Sequence, residues 1–69
     1  MNYIKIEKHS DTLLRVNTKY NELEVHIDPF KGIGIYLICE GKGILIKQYN
    51  HLNLKTALNY ILKLYTNFI

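Results

Sequence analysis

Ile33-Gly34-Ile35-Tyr36-Leu37-Ile38-Cys39-Glu40-Gly41-Lys42-Gly43-Ile44-Leu45-Ile46-Lys47-Gln48-Tyr49 is the segment on which the architecture turns. Two apolar runs, Ile33 to Glu40 and Gly43 to Tyr49, flank Gly41-Lys42, and this spacing predicts a β-hairpin with its turn at those two residues. The matching register sets Leu37 opposite Ile46, Cys39 opposite Ile44, Ile38 opposite Leu45 and Tyr36 opposite Lys47. Both sides of the ribbon are apolar. Ile35, Leu37, Cys39, Ile44 and Ile46 alternate onto one side; Tyr36, Ile38, Leu45 and Tyr49 alternate onto the other, relieved only by Lys47. Each side calls for a cover.

Upstream, Asp28-Pro29-Phe30-Lys31-Gly32 has Asp and Pro in the first two positions of a type I turn, so a strand ends at Asp28. That strand, Glu22 to Asp28, is expected to pair with Leu13 to Lys19 about a turn at Tyr20-Asn21. In this register Leu14 faces Ile27, Val16 faces Val25 and Thr18 faces Leu23, while Arg15 faces His26 and Lys19 faces Glu22. The alternation of Tyr3 to Lys8 adds a further strand, with Ile6 beside Val16 and Glu7 beside Arg15.

Downstream, Asn53 is suited to cap a helix running from Leu54 to about Phe68. Leu54, Ala57, Leu58, Ile61, Leu62, Tyr65 and Phe68 recur at helical spacing on one side, with Lys55, Asn59 and Lys63 on the other. The apolar character continues to Ile69, which suggests a terminus tucked against the fold.

The expected fold is therefore α+β: one domain over residues 1–69, with a five-stranded antiparallel sheet made of a three-stranded meander plus a second hairpin. One C-terminal amphipathic helix packs on one face. This order is similar, in topology alone and with no shared motif, to small strand-rich modules that end in a helix, among them single-stranded-DNA-binding coactivator domains that dimerise through their helices.

The 69 residues, 48% of them hydrophobic, make a small core with marginal stability as a monomer. The single cysteine excludes an internal disulfide, and no Cys/His spacing suits zinc. No apolar run reaches the ~18 residues of a membrane span, so the expectation is a soluble, cytoplasmic chain without membrane contact. Ile, Lys, Asn and Tyr make up 31 of the 69 residues. That bias follows A/T-rich codons and suits a low-GC bacterium, its phages and plasmids, or an A/T-rich virus.

Chemical motifs are sparse. His9-Ser10-Asp11 holds the residue types of a catalytic triad, but consecutive residues cannot converge as base, nucleophile and orienter. His26 and Asp28 share a strand side, yet the expected neighbour Arg15 opposes a cation there. Cys39 has no histidine or lysine placed to activate it and reads as a small hydrophobe. Gly32-Ile33-Gly34 precedes a strand and not the helix that a phosphate loop requires. No catalytic residue, metal ligand or cofactor site is assigned, and the chain is expected to be non-enzymatic.

Two binding readings follow. The first is a protein-binding module working through Tyr36, Ile38, Leu45, Lys47 and Tyr49, an aromatic and aliphatic cluster suited to the centre of an interface. It would act as a homodimer or on a larger host complex, and in size and composition it resembles the short anti-CRISPR and other anti-defence inhibitors of phages and mobile elements. The second is single-stranded nucleic-acid binding through the basic second half. Residues 1–34 carry balanced charge, whereas residues 35–69 carry four lysines against Glu40 alone, which accounts for the formal net charge of +3. Lys42, Lys47, Lys55 and Lys63, with Tyr60 and the other tyrosines for stacking, are the residue types such a site uses. In the expected hairpin register, however, Lys47, Tyr36 and Tyr49 fall on the side away from the helix, apart from Lys55 and Lys63.

Overall fold

The computed structural model describes residues 4–66. Tyr3, Phe68 and Ile69, with the strand, helix and terminal packing expected of them, lie outside the described residues. Five strands form one open antiparallel meander in sequence order: β1 (Ile4–Ser10), β2 (Leu13–Thr18), β3 (Glu22–Asp28), β4 (Gly32–Cys39) and β5 (Lys42–Tyr49). The helix α1 (Leu54–Thr66) packs across one face, giving the α+β class expected from the sequence.

The core lies between the helix and the three central strands. Leu14, Val16, Leu23, Val25, Ile33 and Ile35 are buried beneath Ala57 and Ile61. Each large aliphatic side chain so buried contributes roughly 1.5–3 kcal/mol. β1 and β5 are the sheet edges, and their side chains are mostly exposed or half-buried.

β1 pairs with β2 as expected, with Ile6 opposite Val16 and Glu7 opposite Arg15. The β2–β3 register departs from expectation by two residues: Leu14 faces Val25, Val16 faces Leu23 and Arg15 faces Glu24. Thr18 is the cause. Its Oγ1 accepts the N–H groups of Asn21 (2.8 Å) and Tyr20 (3.2 Å), and its own N–H donates to the Asn21 carbonyl at 2.8 Å. The turn therefore falls at Lys19-Tyr20 and not at Tyr20-Asn21, as expected of a hydroxyl that mimics a backbone turn. The expected Lys19–Glu22 pairing is replaced by Arg15 reaching Glu22 and Glu24. A shift of two keeps every side chain on its own face.

The strand break at Asp28 is capped by its own carboxylate, whose Oδ1 accepts the N–H groups of Phe30 (2.8 Å) and Lys31 (3.3 Å). Gly32 then restarts the sheet at φ 107°, and a Cβ there would run into the Tyr49 carbonyl oxygen.

The β4–β5 hairpin differs more consequentially. Its turn is Glu40-Gly41, with φ of 53° and 78°, and Cys39 pairs with Lys42. Two successive positive φ values match the turn geometry that fits the twist of a tight hairpin. Leu37 then faces Ile44 and Tyr36 faces Leu45, but beyond a bulge Ile35 faces Lys47 and Ile33 faces Tyr49. Ile46 is the extra residue.

The physical reason is visible in the pairing that the bulge prevents. A regular ladder from the Glu40-Gly41 turn would set Gln48 beside buried Ile33, at the cost of desolvating its amide. One inserted residue puts Tyr49 there instead, and both Ile46 and Tyr49 pack against the core.

Asn53 caps α1 as expected, its Oδ1 accepting the Thr56 N–H at 3.4 Å. The helix is rolled relative to the expected face: Leu54, Leu58, Tyr60 and Tyr65 pack against the core while Leu62 is 44% exposed. Cys39 is also exposed, a correction to its reading as an interior hydrophobe, because it lies at the strand end beside the Glu40-Gly41 turn.

Candidate functional site

Cross-strand partners share a face, so the registers sort the side chains. One continuous row on the outer face, away from the helix, runs Glu7, Arg15, Glu24, Tyr36, Leu45; beside it lie Glu22, His26 and Asp28. All four carboxylates borne by β1–β3 are on this face. Arg15 reaches Glu22 and Glu24, His26 Nε2 lies 3.0 Å from Glu24 Oε1, and Lys5 Nζ lies 3.1 Å from Glu7 Oε1. The hydrogen bond from Lys5 holds the Glu7 carboxyl below its ordinary pKa. Leu13 faces His26, where Arg15 was expected.

The five residues expected to form one partner-binding cluster divide between the two faces. Tyr36 and Leu45 are directly opposite each other on the outer face, with Ile38 two residues farther along β4. Tyr36 is half-buried and meets the His26 ring, their centroids 4.5 Å apart. Its apolar surface is thus partly covered within the chain. Lys47 and Tyr49 are on the helix face, because the bulge at Ile46 turns the second half of β5 over relative to the expected register.

There they join residues from α1. Tyr49 and Tyr60 meet edge to face, with centroids 6.5 Å apart and planes at 80°, and His51 lies 5.1 Å from Tyr49. Lys47 Nζ is poised over both phenol rings, 5.3 Å from Tyr49 and 5.8 Å from Tyr60. At an exposed position each such contact contributes about 0.5–1 kcal/mol. A groove of about 270 Å³ opens here between the helix and the end of β5, lined by Tyr49, Thr56, Asn59, Tyr60 and Lys63. No carboxylate lines it. Lys63 stands in the last turn of α1, where the helix dipole favours a cation.

Of the residues considered for nucleic-acid binding, Lys47, Tyr60 and Lys63 are therefore gathered at one groove. Lys42 is on the same face at the hairpin tip, opposite Cys39. Lys55 is exposed on α1 and does not line the groove. His51, Thr56 and Asn59 join the site without having been singled out from the sequence. Their contribution depends on where the chain turns between β5 and α1, and no local motif marks it. There the His51 Nδ1 accepts the Asn53 N–H at 3.1 Å, which leaves the ring edge at Nε2 open.

The chemistry on offer is cationic and aromatic: two ammonium groups, two phenol rings and an imidazole around one depression. A second depression, of about 200 Å³, lies on the outer face over Gly32 and Gly34 between His26, Asp28, Lys31, Tyr36 and Gln48. Its charges are mixed, and the Asp28 carboxylate is engaged in the Phe30–Lys31 turn. Among the described residues no group of three or more His, Cys, Asp or Glu side chains converges, and no helix is long and apolar enough to cross a membrane. No family model, curated protein or solved structure matches the chain.

Proposed function

We propose that this chain is a non-enzymatic binding module that engages single-stranded nucleic acid through the groove between β5 and α1. The observation that carries the reading is Lys47 on the helix face, over Tyr49 and Tyr60, with Lys63 on the same groove. Lys47 moving from the rings onto a phosphate would bare phenol faces that stack on bases of any identity, and Lys63 would take a second phosphate. The single arginine, Arg15, is held on the outer face by Glu22 and Glu24, so no guanidinium is offered to the base edges of a duplex.

Fluorescence anisotropy with labelled single- and double-stranded oligonucleotides over a salt series tests this. Three lysines, Lys42, Lys47 and Lys63, imply a slope of about −2 in log K against log salt, from −0.7 per phosphate contacted by a single strand. Affinity would fall roughly fifteen- to twentyfold between 50 and 200 mM salt. Binding that is absent, or indifferent to salt, overturns the reading.

A second reading is favoured by Leu45, 49% exposed on the outer face of an edge strand. A protein partner docked on Tyr36, Ile38 and Leu45 would make the chain an interaction module or an inhibitor of a larger host complex. Tyr36→Ala would then abolish capture of that partner and leave oligonucleotide binding intact.

A further inference from the structure

β5 is an open edge of eight residues that exposes Ile44 on the helix face and Leu45 on the outer face, 52% and 49% accessible. An edge strand apolar on both sides is a template for another strand. We propose that its occupant is β5 of a second copy of this chain, paired antiparallel about a two-fold axis through Leu45, so that the two β5–α1 grooves merge into one channel.

The sequence of the edge is self-complementary in that register. Leu45 meets Leu45 of the second copy on the outer face and Ile44 meets Ile46 on the helix face; beyond Ile46 the bulge takes the two strands out of regular register. A shift of one residue, with the axis between Ile44 and Leu45, would set helix-face Ile44 against outer-face Leu45, which the pleat forbids. The bulge at Ile46 and the charge of Lys47 confine the pairing to a short central stretch, so the contact is weak without a ligand.

A two-fold axis perpendicular to the sheet keeps both helices on one face. Each protomer then contributes its Lys42, Lys47 and Lys63, with Tyr49 and Tyr60, to a channel floored by the two β5 strands and walled by the two α1 helices. Each copy carries a net charge of +3, so a polyanion lying in this channel offsets the repulsion between them. The ligand rests on the nucleic-acid reading; the strand pairing does not.

The test uses the full chain with Cys39→Ser, which removes the one native thiol, and a new cysteine at either Leu45 or Phe30, the latter 95% exposed on the β3–β4 loop. Directly opposed residues of an antiparallel pair lie within disulfide range. Under mild oxidation without nucleic acid, Leu45→Cys should form covalent dimers at least tenfold faster than Phe30→Cys. Equal rates at the two positions would overturn the pairing. In a separate measurement, native mass spectrometry of the wild-type chain with a single-stranded oligonucleotide should give two chains per strand; a strict one-to-one complex would overturn the merged channel. A complete lack of oligonucleotide binding sinks the ligand reading and leaves the cross-linking result to decide the pairing.

Discussion

Lys47 stands opposite Ile35 across the β4–β5 ladder, so an exposed lysine of the edge strand adjoins a fully buried isoleucine. Only the bulge makes this possible. Deleting Ile46 should remove the bulge and leave every other pair in place, since Leu45 would still face Tyr36 and Lys47 would still face Ile35. The expected cost is the partial burial of one isoleucine, about 1–2 kcal/mol, with oligonucleotide affinity retained. Chemical denaturation and anisotropy check both halves. If Lys47 and Tyr49 lay on the outer face, the deletion would reverse their orientation and change binding.

Lys63 and Lys55 sit two turns apart on one helix and differ in whether they line the groove. Lys63→Gln should reduce the salt slope for a single strand by about 0.7, while Lys55→Gln should leave it unchanged. Equal effects would mean a diffuse cloud of charge and no site.

Thr18 closes the β2–β3 turn with three hydrogen bonds through its hydroxyl, the third donated to the Asn21 carbonyl at 3.0 Å. Thr18→Val keeps the shape and β-branching but loses all three. Because the turn is exposed, water replaces part of the loss, and about 1 kcal/mol of destabilisation is expected in a urea melt. For a domain of this size that lowers Tm by roughly 4–8 °C.

Tyr65 donates its hydroxyl to Asn21 Oδ1 at 3.2 Å, tying the end of α1 to the same turn, and burial raises its pKa above the ordinary phenol value. The folded state thus holds this proton more tightly than the unfolded chain does. Its contribution to stability is complete below the ordinary tyrosine pKa of about 10 and is lost as pH rises through the folded value. Stability measured from pH 9 upward should fall, and Tyr65→Phe should flatten that fall.

Much of the architecture was legible because it follows from local chemistry. Alternation placed the strands, Asp28-Pro29 marked the break between β3 and β4, and Asn53 marked the start of the helix. Glu7 beside Arg15 followed from matching one polar side to another. The two later registers were harder to read because each depends on a competition. Thr18 shifts one turn through its hydroxyl, and the bulge at Ile46 arises only when burial of Tyr49 is weighed against burial of Gln48.

The candidate site is hard to read from the sequence for that same reason. A single inserted residue reverses the face of everything beyond it, whereas regular alternation sets Lys47 and Tyr49 in the company of Tyr36. Leu62 departs from its expected burial by less, since Tyr60 turns toward Tyr49 and the helix rolls with it. A wheel of side chains fixes which residues are apolar; it does not fix which edge of that stripe meets the sheet.

The separation of Glu7, Glu22, Glu24 and Asp28 from the lysines near α1 makes the molecule two-sided. A strand bound on the helix side would find itself clothed in a layer whose outward surface carries charges of both signs, tied to one another. That coat offers a further strand no cationic groove, so accumulation would stop at a single thickness instead of growing into a condensate.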